Sequence, residues 1–305
     1  MSIIVPPYLR QGDTVGLICP AGYMSAERTY SCITVLESWG YKVKVGKTVG
    51  HQFHYFSGTD AERLADLQDM LDNSDVHAIL CARGGYGTSR IIDDVNWKKF
   101  KQQPKWIIGY SDITVLHCHL YQRLKTASLH APMAGAFSDA DGEDAFTLSL
   151  KNALSGEPLK YEAPLVSFNR TGRATGALIG GNLSLMAHLT GTLSMPDTNG
   201  AILFVEDIGE YIYNIDRMLL QLDRAEKLNQ LGGLIIGGFT DIKDTTIPFG
   251  QNIYEVINNR ISKYDFPVAF DFPVSHTNEN VALRIGMKHT LVVNNNGSSL
   301  KSVSV

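Results

Sequence analysis

The chain has 305 residues, 44% of them hydrophobic, with a formal charge of −4 at neutral pH. That length and apolar share build two ordinary domains with their own cores, and the scattered Lys and Arg exclude a nucleic-acid polymer as an expected partner. No apolar stretch approaches the roughly 20 residues that cross a bilayer, and Met1-Ser2-Ile3-Ile4-Val5-Pro6-Pro7 is not an export signal; a cytoplasmic protein with no membrane partner is expected.

In chain order, Thr14-Val15-Gly16-Leu17-Ile18-Cys19 reads as a buried strand stopped by the turn formers Pro20-Ala21-Gly22. A helix is predicted from about Ala26 to Trp39, a strand over Tyr41 to Val45, a helix over Asp60 to Asn73 and a strand over His77 to Cys81. Trp106-Ile107-Ile108 continues the alternation as another buried strand, and Ile113 to Leu124 has helical apolar spacing. Repeated strand–helix units imply a parallel sheet covered by helices, with ligands bound beyond the carboxyl ends of the strands. The rhythm breaks between about Ser138 and Asn169, where Asp139, Asp141, Glu143 and Asp144 form a solvated run and Pro158 and Pro164 interrupt any long helix. The expected organisation is therefore a first domain over 1–140, a linker over 141–168 and a second domain over 169–305. Within the latter, Gly180-Gly181 leads into a helix near Asn182, Ala201 to Val205 and Leu234 to Ile236 are buried strands, and Thr290 to Val293 with Leu300 to Val305 close a β element.

Two glycine turns follow apolar runs directly: Arg83-Gly84-Gly85-Tyr86-Gly87 and Gly109-Tyr110-Ser111-Asp112. The second puts Ser111 on a sharp strand-to-helix turn, where the helix N-terminus aims the Asp112 backbone N–H at developing negative charge. The same residues are also consistent with a plain helix cap, and Ile113 breaks the Gly-x-Ser-x-Gly hydrolase pattern. A serine needs a base, and His276 lies in the polar turn Pro273 to Asn280 after the strand-like Val268-Ala269-Phe270. His117, His119 and His130 are expected to pack or to face solvent. The carboxylate that orients the imidazole is best supplied by Glu206, which ends an apolar strand, with Asp207 and Glu210 as competitors. Cys19, Cys32, Cys81 and Cys118 form no CxxC pair and no zinc spacing, and read as reduced core residues, with Cys81 beside Arg83 the alternative nucleophile. No HExxH cluster, dinucleotide fingerprint or Walker loop occurs, so neither a metal nor a cofactor is expected.

The ordered series Arg83 to Gly87, Gly109 to Thr114, Gly180-Gly181-Asn182-Leu183, Val205-Glu206-Asp207 and Ser275-His276 resembles the LD-carboxypeptidase family of serine peptidases. That family includes muramoyltetrapeptide carboxypeptidases and microcin C immunity proteins, and the resemblance runs from Gly12-Asp13 to Gly286. It implies an α/β fold: a flavodoxin-like parallel-sheet domain, related in shape to class I glutamine amidotransferases, and a smaller β-rich swivelling C-terminal domain. It implies a Ser111, Glu206, His276 triad, an oxyanion hole from Asp112 and the Gly84-Gly85 turn, and a homodimer. The expected substrate is a small peptide, typically a murein tetrapeptide losing a terminal D-alanine, with a peptidyl- or aminoacyl-nucleotide toxin as the rival and a non-catalytic binding domain as the more distant alternative. Arg83 or Arg284 is expected to hold the terminal carboxylate, and Tyr86 and Asn182 to contribute to substrate binding. The chain departs from the usual family pattern at Pro20-Ala21-Gly22, at Ala131, where glycine is usual, and at Arg284, where proline is usual.

Overall fold

A computed structural model describes residues 2–137 and 144–303. The chain forms two compact units, Met1–Glu157 with Val281–Arg284, and Pro158–Asn280 with Ile285–Val305.

The first unit carries β1 (Thr14–Ile18), β2 (Lys42–Val45), β3 (Val76–Cys81), β4 (Trp106–Gly109) and β5 (Ser128–His130), with α1 (Tyr30–Ser38), α2 (Asp60–Asp72), α3 (Lys98–Gln102), α4 (Thr114–His119) and α5 (Ala145–Ser155). These five strands pair parallel in the order β2-β1-β3-β4-β5, the flavodoxin-like arrangement. The central runs are apolar on both faces because helices cover both: Val15, Leu17, Ile79, Leu80 and Ile107 have no exposure. At the edge, β2 reads Lys-Val-Lys-Val and is largely exposed, which discourages pairing with another chain. Helix α2 starts at a capping box, in which the Thr59 hydroxyl accepts from Glu62 N–H and the Glu62 carboxylate accepts from Thr59 N–H.

The second unit is built on a seven-stranded sheet of β6 (Lys160–Ala163), β7 (Gly172–Asn182), β8 (Ile202–Ile208), β9 (Gly233–Thr240), β10 (Val268–Ala269), β12 (Lys288–Asn294) and β13 (Gly297–Ser302), in the order β10-β9-β8-β7-β12-β13-β6. The half from β7 to β10 is parallel, and it is interleaved in sequence with α6 (Leu183–Leu189), α7 (Ile212–Arg224) and α8 (Ile253–Ile261). The half containing β12, β13 and β6 is antiparallel. The remaining strand, β11 (Leu283–Ile285), joins the outer edge of the first sheet beside β5.

Within the interval expected to be a linker, 141–168, the described residues from 144 onward carry α5 and β6. Asp139, Asp141 and Glu143 lie outside the described residues, but Asp144 accepts from the N–H groups of Phe146 and Thr147 and so caps α5, which ends at Gly156 in a left-handed conformation. The two units divide at Glu157/Pro158, and β6 already belongs to the second sheet. Asp144 is therefore a helix start. Among the described residues no helix is long and apolar enough to cross a membrane.

Candidate active site

Ser111 sits where β4 turns into a single helical turn that leads to α4, with a φ of 62°. A non-glycine residue in the left-handed region costs of the order of 1–3 kcal/mol and is held only where neighbours dictate it. Gly109, two residues earlier, has a φ of 152°, and a Cβ there would lie 2.9 Å from Ile113 Cγ1 and 3.3 Å from Cys81 Cβ. The turn is thus tight on both sides. Its carbonyl end is fixed by His117: Nε2 lies 2.8 Å from Gly109 O and Nδ1 lies 2.8 Å from Ser128 Oγ. Burial pushes the His117 pKa down to about 4, so the ring is neutral, donating from Nε2 to the carbonyl and accepting from the serine hydroxyl.

The first glycine turn packs directly on this elbow. A Cβ on Gly84 would lie 3.0 Å from Ser111 Cβ, 3.2 Å from Asp112 N and 3.3 Å from Ser111 Oγ, so only glycine lets the backbone approach the hydroxyl this closely. Gly84 O accepts from Gly22 N at 3.0 Å, and in a trans peptide the N–H of Gly85 then points the opposite way. The two turns are also tied by Asp112, whose Oδ2 accepts from Thr88 N at 2.8 Å. Burial pushes the Asp112 carboxyl up, opposed by its hydrogen bonds to Thr88 and by the charge of Arg63.

In the second unit, Glu206 on β8 and His276 form a close pair, Oε2 to Nδ1 at 2.5 Å, with the Glu206 side chain fully buried and that of His276 11% exposed. Three features of the sequence make the pair. Register slips between Val205 and Asp207 against β9, a bulge that re-aims the Glu206 side chain. Gly237 and Gly238 on β9 let the incoming segment pass, since a Cβ at either would lie 2.2 Å from Val274 O or 2.5 Å from Ser275 Cβ. The turn beyond is shaped by Ser275, whose hydroxyl donates to Glu279 O at 3.0 Å and accepts from Thr277 N at 3.0 Å. Burial pushes the Glu206 carboxyl up, and the His276 contact opposes it. Burial alone would lower the His276 pKa, but the hydrogen bond and charge of Glu206, with Asp207 behind, outweigh it and hold the imidazole above its ordinary value. The competitors are occupied elsewhere. Asp207 accepts from Asn182 Nδ2, Ser184 N and Ser184 Oγ, and Glu210 accepts from Asn214 Nδ2.

The four residues expected to touch substrate divide. Tyr86 is 47% exposed beside the glycine turn, and Arg83 is exposed while donating to Tyr23 O at 2.7 Å. Asn182, by contrast, is buried, caps α6 by accepting from Leu185 N, and donates to Asp207. Arg284 is only 2% exposed, and its Nη2 donates to Asn152 O, Ala153 O and Glu157 O at the end of α5. Both side chains are engaged by hydrogen bonds within the protein. Cys81 is fully buried and its thiol is pushed up by that burial, so it stays protonated and is no nucleophile. Sequence reasoning missed the service His117 and Thr88 give to the elbow. Spacing places His117 on the helix after Ser111, but nothing local says that its ring folds back onto Gly109.

The chain matches the sequence profile of the LD-carboxypeptidase N-terminal domain over residues 15–131 and that of the LD-carboxypeptidase C-terminal domain over residues 175–291. It is 35% identical over 286 residues to a probable murein peptide carboxypeptidase of Bacillus subtilis, covering 93% of this chain and 90% of that one. It is 25% identical over 328 residues to the microcin C7 self-immunity protein MccF of Escherichia coli, covering 96% and 94%. Among solved structures, muramoyltetrapeptide carboxypeptidase from Oxalobacter formigenes superposes with a TM-score of 0.87 at 31% identity, over 95% of this chain and 99% of that one. Two domain profiles in the right order, full-length similarity and a shared fold make this chain a member of the LD-carboxypeptidase family.

Proposed function

We propose that the chain is a serine-type LD-carboxypeptidase that removes the terminal D-alanine from murein tetrapeptide in cell-wall recycling. Ser111 Oγ attacks the carbonyl of the L,D-amide, and His276 accepts its proton through Nε2 while its Nδ1–H keeps donating to the Glu206 carboxylate. The oxyanion of the tetrahedral intermediate is met by the N–H of Asp112 and by the Gly84-Gly85 turn. His276 then protonates the departing amine, and water attacks the acyl-enzyme by the same route in reverse. Arg83, exposed beside the glycine turn, is the cation for the free carboxylate of an exopeptidase substrate.

The single observation that carries the reading is the Glu206–His276 pair, a dyad of one buried carboxylate and one partly exposed imidazole, in a chain that also strains Ser111 into a strand-to-helix elbow. The murein substrate rests on the relatives, the Bacillus subtilis and Oxalobacter formigenes proteins. Incubation of the purified protein with murein tetrapeptide, followed by mass spectrometry, tests it. Loss of one alanine by the wild type and none by Ser111→Ala is the expected result, and an intact tetrapeptide with both proteins refutes it.

One observation favours a second substrate. Tyr55 and Tyr86 are 54% and 47% exposed, and a Cβ on Gly85 would lie 2.8 Å from Tyr55 Oη, so aromatic surface lies beside the glycine turn. Such surface stacks on a nucleobase, in keeping with the immunity protein MccF among the relatives. Release of a free nucleotide moiety from an aminoacyl-nucleotide conjugate, with tetrapeptide left whole, is the outcome that selects it. We place the reaction in the cytoplasm and expect two copies of the chain to associate, which sedimentation measures.

A further inference from the structure

Arg63 has no exposed surface, although it lies in the first turn of α2, where an arginine ordinarily reaches water. Its guanidinium is spent on backbone carbonyls from three separate loops: Nη1 donates to Pro20 O at 2.6 Å and to Gly87 O at 3.0 Å, and Nε donates to Gly58 O at 3.2 Å. Nη2 pairs with Asp60, and the cation lies over the Phe56 ring at 4.8 Å. Gly87 is glycine for this reason as well as for its φ of 142°, because a Cβ there would lie 2.7 Å from Nη1.

Two of those loops make the turn beside Ser111. Pro20 leads to Gly22, whose N–H holds Gly84 O. Gly87 ends the run that begins at Arg83, and the next N–H, that of Thr88, is held by Asp112. The guanidinium therefore fastens both segments whose mutual hydrogen bond orients the Gly84–Gly85 peptide. A rigid planar fork suits this task where an ammonium would not, since three carbonyls must be met at fixed angles at once.

We propose that Arg63 is a positioning residue for the oxyanion loop: without touching substrate or Ser111, it sets the Gly84–Gly85 backbone for the transition state by bracing Pro20, Gly58 and Gly87. The inference rests on the serine-peptidase reading above. It predicts an effect on charge developed only in the transition state, which appears in kcat and leaves KM unchanged.

The test compares wild type, Ser111→Ala, Arg63→Lys and Asp60→Asn on murein tetrapeptide, with each protein's folding checked by circular dichroism and thermal melting. Arg63→Lys keeps the charge and loses the fork, and its kcat is expected to fall about 10²-fold with KM unchanged, the scale of a small misplacement of the reacting groups. Its affinity for a peptidyl boronic acid, a tetrahedral adduct former, is expected to fall in parallel with kcat, while affinity for the tetrapeptide bound to the Ser111→Ala background stays the same. Asp60, whose side chain is 41% exposed and which also pairs with Arg90, withdraws its charge from the Nη2 side of the fork when changed to Asn. That variant is expected to fold and to show a smaller fall in kcat alone. A folded Arg63→Lys enzyme with wild-type kcat overturns the proposal, as does a change confined to KM. Should Arg63→Lys fail to fold, wild-type kcat in Asp60→Asn overturns it instead. Absence of cleavage by the wild type, or retained cleavage by Ser111→Ala, overturns the parent reading first and is distinguishable from both.

Discussion

Gly84 and Ser111 are in contact without a side chain to spare: a Cβ on the glycine would stand 3.0 Å from the serine Cβ and 3.2 Å from the amide nitrogen that follows it. Their sequence separation is large and their conformations are interdependent. The backbone of one turn is the wall against which the other is bent.

Gly84→Ala is therefore expected to fold and to lose about 10²-fold in kcat, because the added methyl pushes the turn off the elbow by a fraction of an ångström. Steady-state kinetics on tetrapeptide, beside a thermal melt within a few degrees of wild type, measure it. An alanine enzyme of full activity would show that the close approach has no part in catalysis.

The pH profile should carry the signature of the Glu206–His276 pair. In the proposed reaction His276 must be neutral to accept the Ser111 proton, and its pKa is held above 6.5, so kcat/KM is expected to climb with pH through an inflection above that value. In Glu206→Gln the raising partner is gone and burial remains, so the inflection moves to lower pH while the plateau falls by about 10³-fold. For stability the sign is the same as for any group with a raised folded pKa: the contribution of the pair is complete below 6.5 and is lost as pH rises through the folded value.

His117 acts in the opposite direction. Its folded pKa is depressed to about 4, so its contribution is present above the ordinary value near 6.5 and drains away as pH falls toward 4, roughly 3 kcal/mol in all. Urea titrations at several pH values should show this acid-side loss in the wild type and not in His117→Leu. The leucine variant should also be about 1–3 kcal/mol less stable at neutral pH, because Ser128 Oγ loses the His117 ring and Gly109 O is left with Ala131 N.

Arg284→Met separates a structural arginine from a substrate-binding one. Three carbonyls at the end of α5 lose their donor, and a loss of about 2–4 kcal/mol is expected by denaturant unfolding. KM for tetrapeptide should not change. A raised KM with unaltered stability would return Arg284 to the substrate.

Much of this was legible in the sequence where the signal is local. Strands β1, β3 and β4 are apolar runs ended by turn formers, so their ends and the residues just beyond them, Ser111 included, read directly. Glu206 is readable as the polar end of a buried strand, but that it, and not Asp207 or Glu210, pairs with His276 depends on a bulge against β9 and on who bonds Asn182, Ser184 and Asn214. None of these is a local property. Helix α5 reads as linker because an aspartate that caps a helix has the same spelling as one in solvent until its hydrogen bonds are seen. Arg284 and Arg63 were unreadable for the same reason: a charge buried by distant carbonyls has the same spelling as one in water.

The strand β11 has a consequence for how the molecule is made. Residues Val281–Arg284 return to the first unit, where Ala282 N donates to Ser149 Oγ at 2.8 Å and Arg284 closes the end of α5. A nascent chain that has emerged only as far as Glu157 holds five strands but leaves β5 bare, an open edge awaiting a segment synthesised more than a hundred residues later. Cutting the gene at that boundary would yield an N-terminal fragment prone to self-association. Fusing Val281–Ile285 to its end by a short glycine linker should restore a monodisperse product.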